Sequence, residues 1–164
     1  MTEDRFKFRV FITDKKHSKN SLTGMFKVHS LHTGTNKVII TSTYGNVSIK
    51  LDNNILMQCT GLKDRNGKLI YEGDIVKKCT FIDYNGNGYQ PDVYLDRVDI
   101  GVVHFTASNG AVLRKVKTYL TDNPYEEKKL MPKQDQPKAV KLFACRSEVI
   151  GNIYENKELN EVEE

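Results

Sequence analysis

The amino-acid sequence predicts an all-β protein. Apolar residues recur with a period of two through most of the chain, the apolar runs are short and bounded by Gly, Asn, Asp and Ser clusters, and Val, Ile, Phe and Tyr dominate them. At 164 residues there is room for one domain with an extension, or for two small domains, and not for two large cores. The pattern divides the chain into an N-terminal β extension over 1–56, a small barrel over 57–156 and an acidic tail over 157–164 expected to be disordered, with at most one short helix in all.

Phe6, Phe8 and Val10 alternate with Arg5, Lys7 and Arg9, so a first strand sends aromatic bulk to one face and cations to the other. Residues 13–24 lose periodicity and read as a loop. Met25 to Leu31 and Lys37 to Thr43 resume the alternation on either side of a His-Thr-Gly-Thr-Asn linker, the pattern of a hairpin. Val47, Ile49 and Leu51 form one more strand before Asp52, Asn53 and Asn54 break it.

Asn66-Gly67 lies between polar and apolar runs, and both residues tolerate the positive φ of a two-residue type I′ hairpin turn. Next, Gly73-Asp74 opens a strand through Ile75 and Val76, as in small SH3-like barrels. Asp99 to Phe105 reads as a strand tolerating a bend or bulge at Gly101, and Ser108-Asn109-Gly110 turns the chain into a returning strand over Ala111 to Leu120. Residues 121–137 hold three of the four prolines. A short helix from Pro124 to before Pro132, capped by Asp122 or Asn123, competes there with an irregular excursion. Lys138 to Ala144 and Ser147 to Tyr154 close the order of strands.

Composition bounds function. Hydrophobic residues at 38% exclude a disordered chain, and no segment approaches the roughly 20 apolar residues of a membrane span. The N-terminus has no signal-peptide run, and Cys59, Cys79 and Cys145 form no C-x-x-C pair, so reduced, mostly buried thiols and a cytoplasmic location are expected. Net charge is +4, to which the last ten residues, with five Glu and one Lys, contribute −4, leaving +8 on the rest. Such a body attracts polyanions mildly.

No G-x-S-x-G, H-E-x-x-H, P-loop or dinucleotide fingerprint occurs, so neither a catalytic motif nor a cofactor is expected; two carboxylates in a cleft would leave no motif, and that route to catalysis stays open. Asp83 to Gly88 begins like a calcium loop but lacks a carboxylate at the twelfth position, which is Tyr94, and so reads as an Asn/Gly-rich loop. His29 and His32, three apart on a strand, point to opposite faces and form no metal pair, and His104 reads as a barrel-face residue. The remaining candidate is a basic surface. Lys77, Lys78, Arg114, Lys115 and Lys117, with Tyr119 among them, are the cation and aromatic combination with which small barrels hold single-stranded nucleic acid. The competing reading is that these cations protect strand edges from pairing.

Two dense blocks, Met57 to Val76 (MQCTGLKDRNGKLIYEGDIV) and Val149 to Asn156 (VIGNIYEN), together with Lys7-Phe8-Arg9-Val10-Phe11 and the Gly101-Val102-Val103 strand, resemble the YopX family, small proteins encoded by phages and prophages. Phe11 stands where the family commonly shows Trp. The resemblance implies an SH3-like barrel with added N-terminal β structure, assembly into a homo-oligomer, and no settled biochemical activity. Within the blocks, Gly61, Asn66, Gly67, Tyr71, Gly73, Asp74, Gly151, Asn152 and Tyr154 have a structural reading. The turn residues set register, while Ile75, Val76, Ile150, Ile153 and Tyr154 fill a small core. The expectation is a non-enzymatic phage accessory module that binds an unidentified host or phage protein or assembles with itself, the alternative being a nucleic-acid-binding small barrel.

Overall fold

The computed structural model describes residues 7–13, 22–43, 45–51, 55–83, 94–121 and 127–160. The expectations for Arg5 and Phe6, for most of the 13–24 loop, for 52–54, for 84–88 and for 122–126 lie outside the described residues, as does the end of the acidic tail at 161–164. The chain forms two units, 1–62 and 63–164.

In the first unit, strands β1 (Phe8–Ile12), β2 (Gly24–His32), β3 (Lys37–Ser42), β4 (Gly45–Lys50) and β5 (Ile55–Lys63) pair in the order β4-β3-β2-β1-β5. All pairings are antiparallel, with Val10 opposite Phe26 on one side and Leu56 on the other. The period of two decides the core: Val10 and Ile12 of β1, Val38 and Ile40 of β3 and Ile49 of β4 are buried together with Leu22. The predicted hairpin between β2 and β3 closes through a 3-10 turn at Thr33–Thr35, with Asn36 in the left-handed region.

The second unit contains β6 (Leu69–Tyr71), β7 (Asp74–Asp83), β8 (Tyr94–Thr106), β9 (Gly110–Thr121), β10 (Lys129–Leu130), β11 (Ala139–Lys141), β12 (Ser147–Asn152) and one helical turn, α1 (Lys157–Asn160). Its strands run in the order β10-β9-β8-β7-β12, and β11 pairs with β9 beside β10. The all-β class holds, but the SH3-like barrel does not close. Among the described residues the strand path ends at β10 and at β12, and the outer edge of β9 is divided between two short strands, against Leu120 and Tyr119 and against Arg114 to Val112.

The core of this unit joins Ile70, Val76, Val103, Leu113, Val116, Val140, Leu142 and Val149. Full burial of one such side chain stabilises by about 1.5–3 kcal/mol, more than a net hydrogen bond. Both sequence blocks therefore feed one core, Ile70 and Val76 from the first and Val149 from the last. Ile150, Ile153 and Tyr154, expected to fill it, are only half-buried: Ile150 sits in a bulge between Val149 and Gly151, and Ile153 and Tyr154 follow β12 in a turn.

Three local expectations are corrected. Gly67 has φ +81 but Asn66 is not in the left-handed region, so the turn is not type I′. Gly67 N–H donates to Asp64 O at 2.9 Å and Asp64 N–H to Lys68 O at 2.8 Å, a type I turn closed by a glycine bulge. The cause is Asp64, whose Oδ1 accepts N–H bonds from Asn66 and Lys68 and so stabilises that alternative. Of the two alternatives left open after Pro124, the helix is absent from its described part. Lys129–Leu130 is a strand on β9, and Pro132 leads into a 3-10 turn at Lys133–Asp135. Finally, Lys157–Asn160 is helical within a segment expected to be disordered.

Candidate functional site: a basic groove along β9

The site is built on a bulge. Ile100 of β8 lies opposite Lys117 and Val102 opposite Arg114, so Gly101 faces two residues, Lys115 and Val116. One extra residue on β9 lets Leu113 and Val116, three apart, both enter the core and leaves Lys115 exposed with φ +51. A Cβ on Gly101 would stand 3.0 Å from Arg114 O and 3.1 Å from Leu113 Cβ, so only glycine admits this approach without displacement.

Below the bulge, Lys117 and Tyr119 project from one face of β9. β10 extends the sheet, with Leu130 opposite Tyr119, and Met131 N–H donates to Thr118 O at 2.8 Å. Gln136 then fastens the following segment: its Oε1 accepts the Thr118 N–H and its Nε2 donates to Met131 O, each at 2.6 Å. The result is an open groove of about 660 Å³ whose cations are Lys115, Lys117, Lys133 and Lys138. Tyr119, Leu130, Met131 and Pro137 supply its apolar wall, and Glu158 of α1 is its carboxylate. Leu159 lies close by, lining a small cavity with Ile75, Ile100, Lys115 and Lys117.

The five cations nominated from sequence separate. Lys115 and Lys117 line the groove. Lys77 is exposed and shares a sheet row with Ile100 and Lys117, and Arg114 is exposed beside Val102, both on the same face but outside the groove. Lys78 is a correction. It is buried on the opposite face, in the row Lys78–Asp99–Thr118, because adjacent strand residues point to opposite sides and Val76, two residues before it, is core. Its Nζ lies 3.9 Å from Asp99 Oδ2 and 5.0 Å from the centre of the Phe143 ring. Asp99 Oδ1 accepts bonds from Thr118 Oγ1 at 2.7 Å and Arg97 Nε at 2.8 Å. Burial pushes the Lys78 ammonium below its ordinary pKa, Asp99 opposes the shift, and Arg97 and Arg146 add to it.

The residues of the two sequence blocks form a second cluster with a structural role. Asp64 Oδ2 accepts the N–H of Val149 at 3.0 Å while Oδ1 holds the turn. Burial raises its pKa, but the N–H bonds from Val149, Lys68 and Asn66 outweigh burial and hold the carboxyl below its usual range. Asp74 Oδ2 accepts the Tyr71 N–H at 2.8 Å, and Gly73 donates to Val103 O and accepts from Ile153 N–H. Asn152 Oδ1 accepts the N–H groups of Tyr154 and Glu155, and Asn156 Oδ1 seats against Gly151. Gly61 lies in β5 with φ +76.

Sequence reasoning missed Lys133, Lys138 and Gln136, whose signal was a lysine directly after each of Pro132 and Pro137. It also missed Asp64, three residues before Gly67. Among the described residues no group of three His, Cys, Asp or Glu side chains could hold a metal ion, and His29 and His32 are both exposed. Nor is any helix among them long and apolar enough to cross a membrane. Cys59 is buried, Cys79 half-buried and Cys145 exposed, which corrects the expectation of mostly buried thiols. A family model described as YopX protein matches residues 7–161, nearly the whole chain. No curated protein matches the sequence.

Proposed function

Because the chain belongs to the YopX family, a membership that assigns no activity, the reading comes from its surface, and we propose that it is a non-enzymatic binding module that holds an extended anionic partner in the β9 groove. The observation that supports this is the convergence of Lys115, Lys117, Lys133 and Lys138, from two separate segments, on one concavity. Like charges gathered in a concave wall repel one another and focus positive potential, a cost that a bound anion relieves. In this reading the protein is a phage or prophage accessory factor at work in the bacterial cytoplasm.

Retention on immobilised heparin tests the reading. The double variant Lys115→Glu/Lys117→Glu elutes at clearly lower salt than Lys27→Glu/Lys63→Glu, which carries the same net charge with both changes at exposed positions outside the groove. Equal elution of the two would show that the groove is not the anion-binding surface.

Self-assembly is the second reading, and a specific feature favours it. β4 ends the strand order of the first unit, and such an edge carries backbone donors and acceptors suited to pairing with another copy. Light scattering that returns a monomer mass at high protein concentration would dismiss it.

A further inference from the structure

The groove combines three properties that together narrow its occupant. Its cations are lysines, compact point charges with rotatable donors that suit single anionic oxygens without fixing a paired geometry. Tyr119 lies among those lysines, with the half-exposed Leu130 directly opposite it across the β9–β10 ladder. A phosphodiester strand presents the matching alternation of charge and flat apolar plate, whereas an acidic peptide presents charge without the plate. A duplex keeps its bases stacked inside and offers a concave wall only its backbone.

The third property concerns selectivity. Gln136 is the carboxamide lining the groove; its oxygen accepts from Thr118 and one of its two N–H groups donates to Met131. Held in this way it is not free to turn its oxygen and nitrogen together onto adenine, the paired contact by which a Gln reads a base edge.

We infer that the groove is a sequence-tolerant binding site for single-stranded nucleic acid, with the ammonium groups of Lys115, Lys117, Lys133 and Lys138 on successive phosphates and a base stacked on Tyr119. This rests on the groove being the working surface and adds the class of its occupant. Glu158, the carboxylate at the groove, opposes the same ligand and tempers its affinity.

The test is fluorescence anisotropy of the full-length protein with fluorescein-labelled oligothymidylate, a hairpin duplex of equal length and a labelled poly-glutamate peptide, at roughly 50 mM and roughly 200 mM salt. The oligothymidylate binds at least tenfold tighter than duplex or peptide, and an oligomer of mixed sequence binds about as well. Tyr119→Ala weakens the single strand by roughly 5- to 150-fold, the range for loss of one stacked base, while Tyr119→Phe keeps the ring and most of the affinity. Lys133→Gln and Lys138→Gln weaken all single strands alike and each lower the salt slope by about one. Retention on heparin with the peptide binding as well as the oligonucleotide, or with Tyr119→Ala unchanged, would overturn the nucleic-acid assignment and leave the groove standing. Failure of heparin and oligonucleotide together would overturn both.

Discussion

The carboxylate of Asp64 accepts the backbone N–H of Val149 at 3.0 Å, across 85 positions of sequence, while its other oxygen closes the turn at Gly67. One buried side chain thus joins the two sequence blocks. Three bonds to a charged acceptor are at stake, so Asp64→Ala destabilises the second unit by about 3 kcal/mol, measured by urea denaturation, and Asp64→Asn by less because one oxygen remains. The pH dependence has a defined sign. The folded pKa of Asp64 lies below its unfolded value of about 3.9, so its contribution is complete above that value and is lost as pH falls through the folded pKa. The difference in stability between wild type and Asp64→Ala therefore shrinks below about pH 4, and a difference that stayed constant to about pH 2 would contradict this assignment.

Lys77 and Lys78 are neighbours in sequence with opposite fates, which a pair of substitutions separates. Lys78→Met removes a cation from beside buried Asp99 and destabilises by about 2 kcal/mol, although Arg97 and Thr118 continue to satisfy the other carboxylate oxygen. It leaves polyanion affinity unchanged. Lys77→Met, on the exposed face, changes stability by less than about 0.5 kcal/mol. Thermal melting and anisotropy of the two variants read both effects.

Gly101→Ala places a methyl group 3.0 Å from Arg114 O and 3.2 Å from Val116 Cγ2, and backbone cannot swing aside as a side-chain end can. A loss of about 1–3 kcal/mol follows from overpacking of this kind. If the bulge relaxes instead, Lys115 leaves the groove and heparin retention falls. A variant as stable and as well retained as wild type would show that the close approach is not needed.

The three thiols differ in access and so in rate. With a colourless aromatic disulfide as titrant, Cys145 reacts first, Cys79 more slowly and Cys59 only on unfolding, following exposed, half-buried and buried positions. Mass spectrometry after brief labelling identifies the order. Modification of Cys59 in the native protein would contradict its burial in β5.

What the sequence displayed, and what it hid, divides along physical lines. Alternation is a local property, so β1 to β4 and the β8–β9 hairpin from Asp99 onward were legible from Val10, Val38, Ile40 and Val103 with their neighbours, while the first five residues of β8 were not. The same alternation already implied that Lys78, two residues after buried Val76, turns inward, and grouping it with Lys77 by charge overlooked the pleat. Turn type was not legible from Asn66-Gly67 alone, because the outcome depends on a bond from Asp64 and on a partner strand far along the chain. Barrel closure failed for a related reason, since pairing at the edge of β9 is a competition among distant segments. The groove was half visible: Lys115, Lys117 and Tyr119 stand together in sequence, whereas Lys133 and Lys138 are brought to them by the pairing of β10 and β11 with β9 and by the hydrogen bonds of Gln136.

Lys115 occupies left-handed backbone that costs a residue with a Cβ roughly 1 kcal/mol and costs glycine almost nothing. Lys115→Gly therefore yields a sturdier fold and a weaker grip on anions, two quantities that selection weighs against each other at a single codon. A lineage that kept its fold but abandoned the ligand would drift toward glycine here.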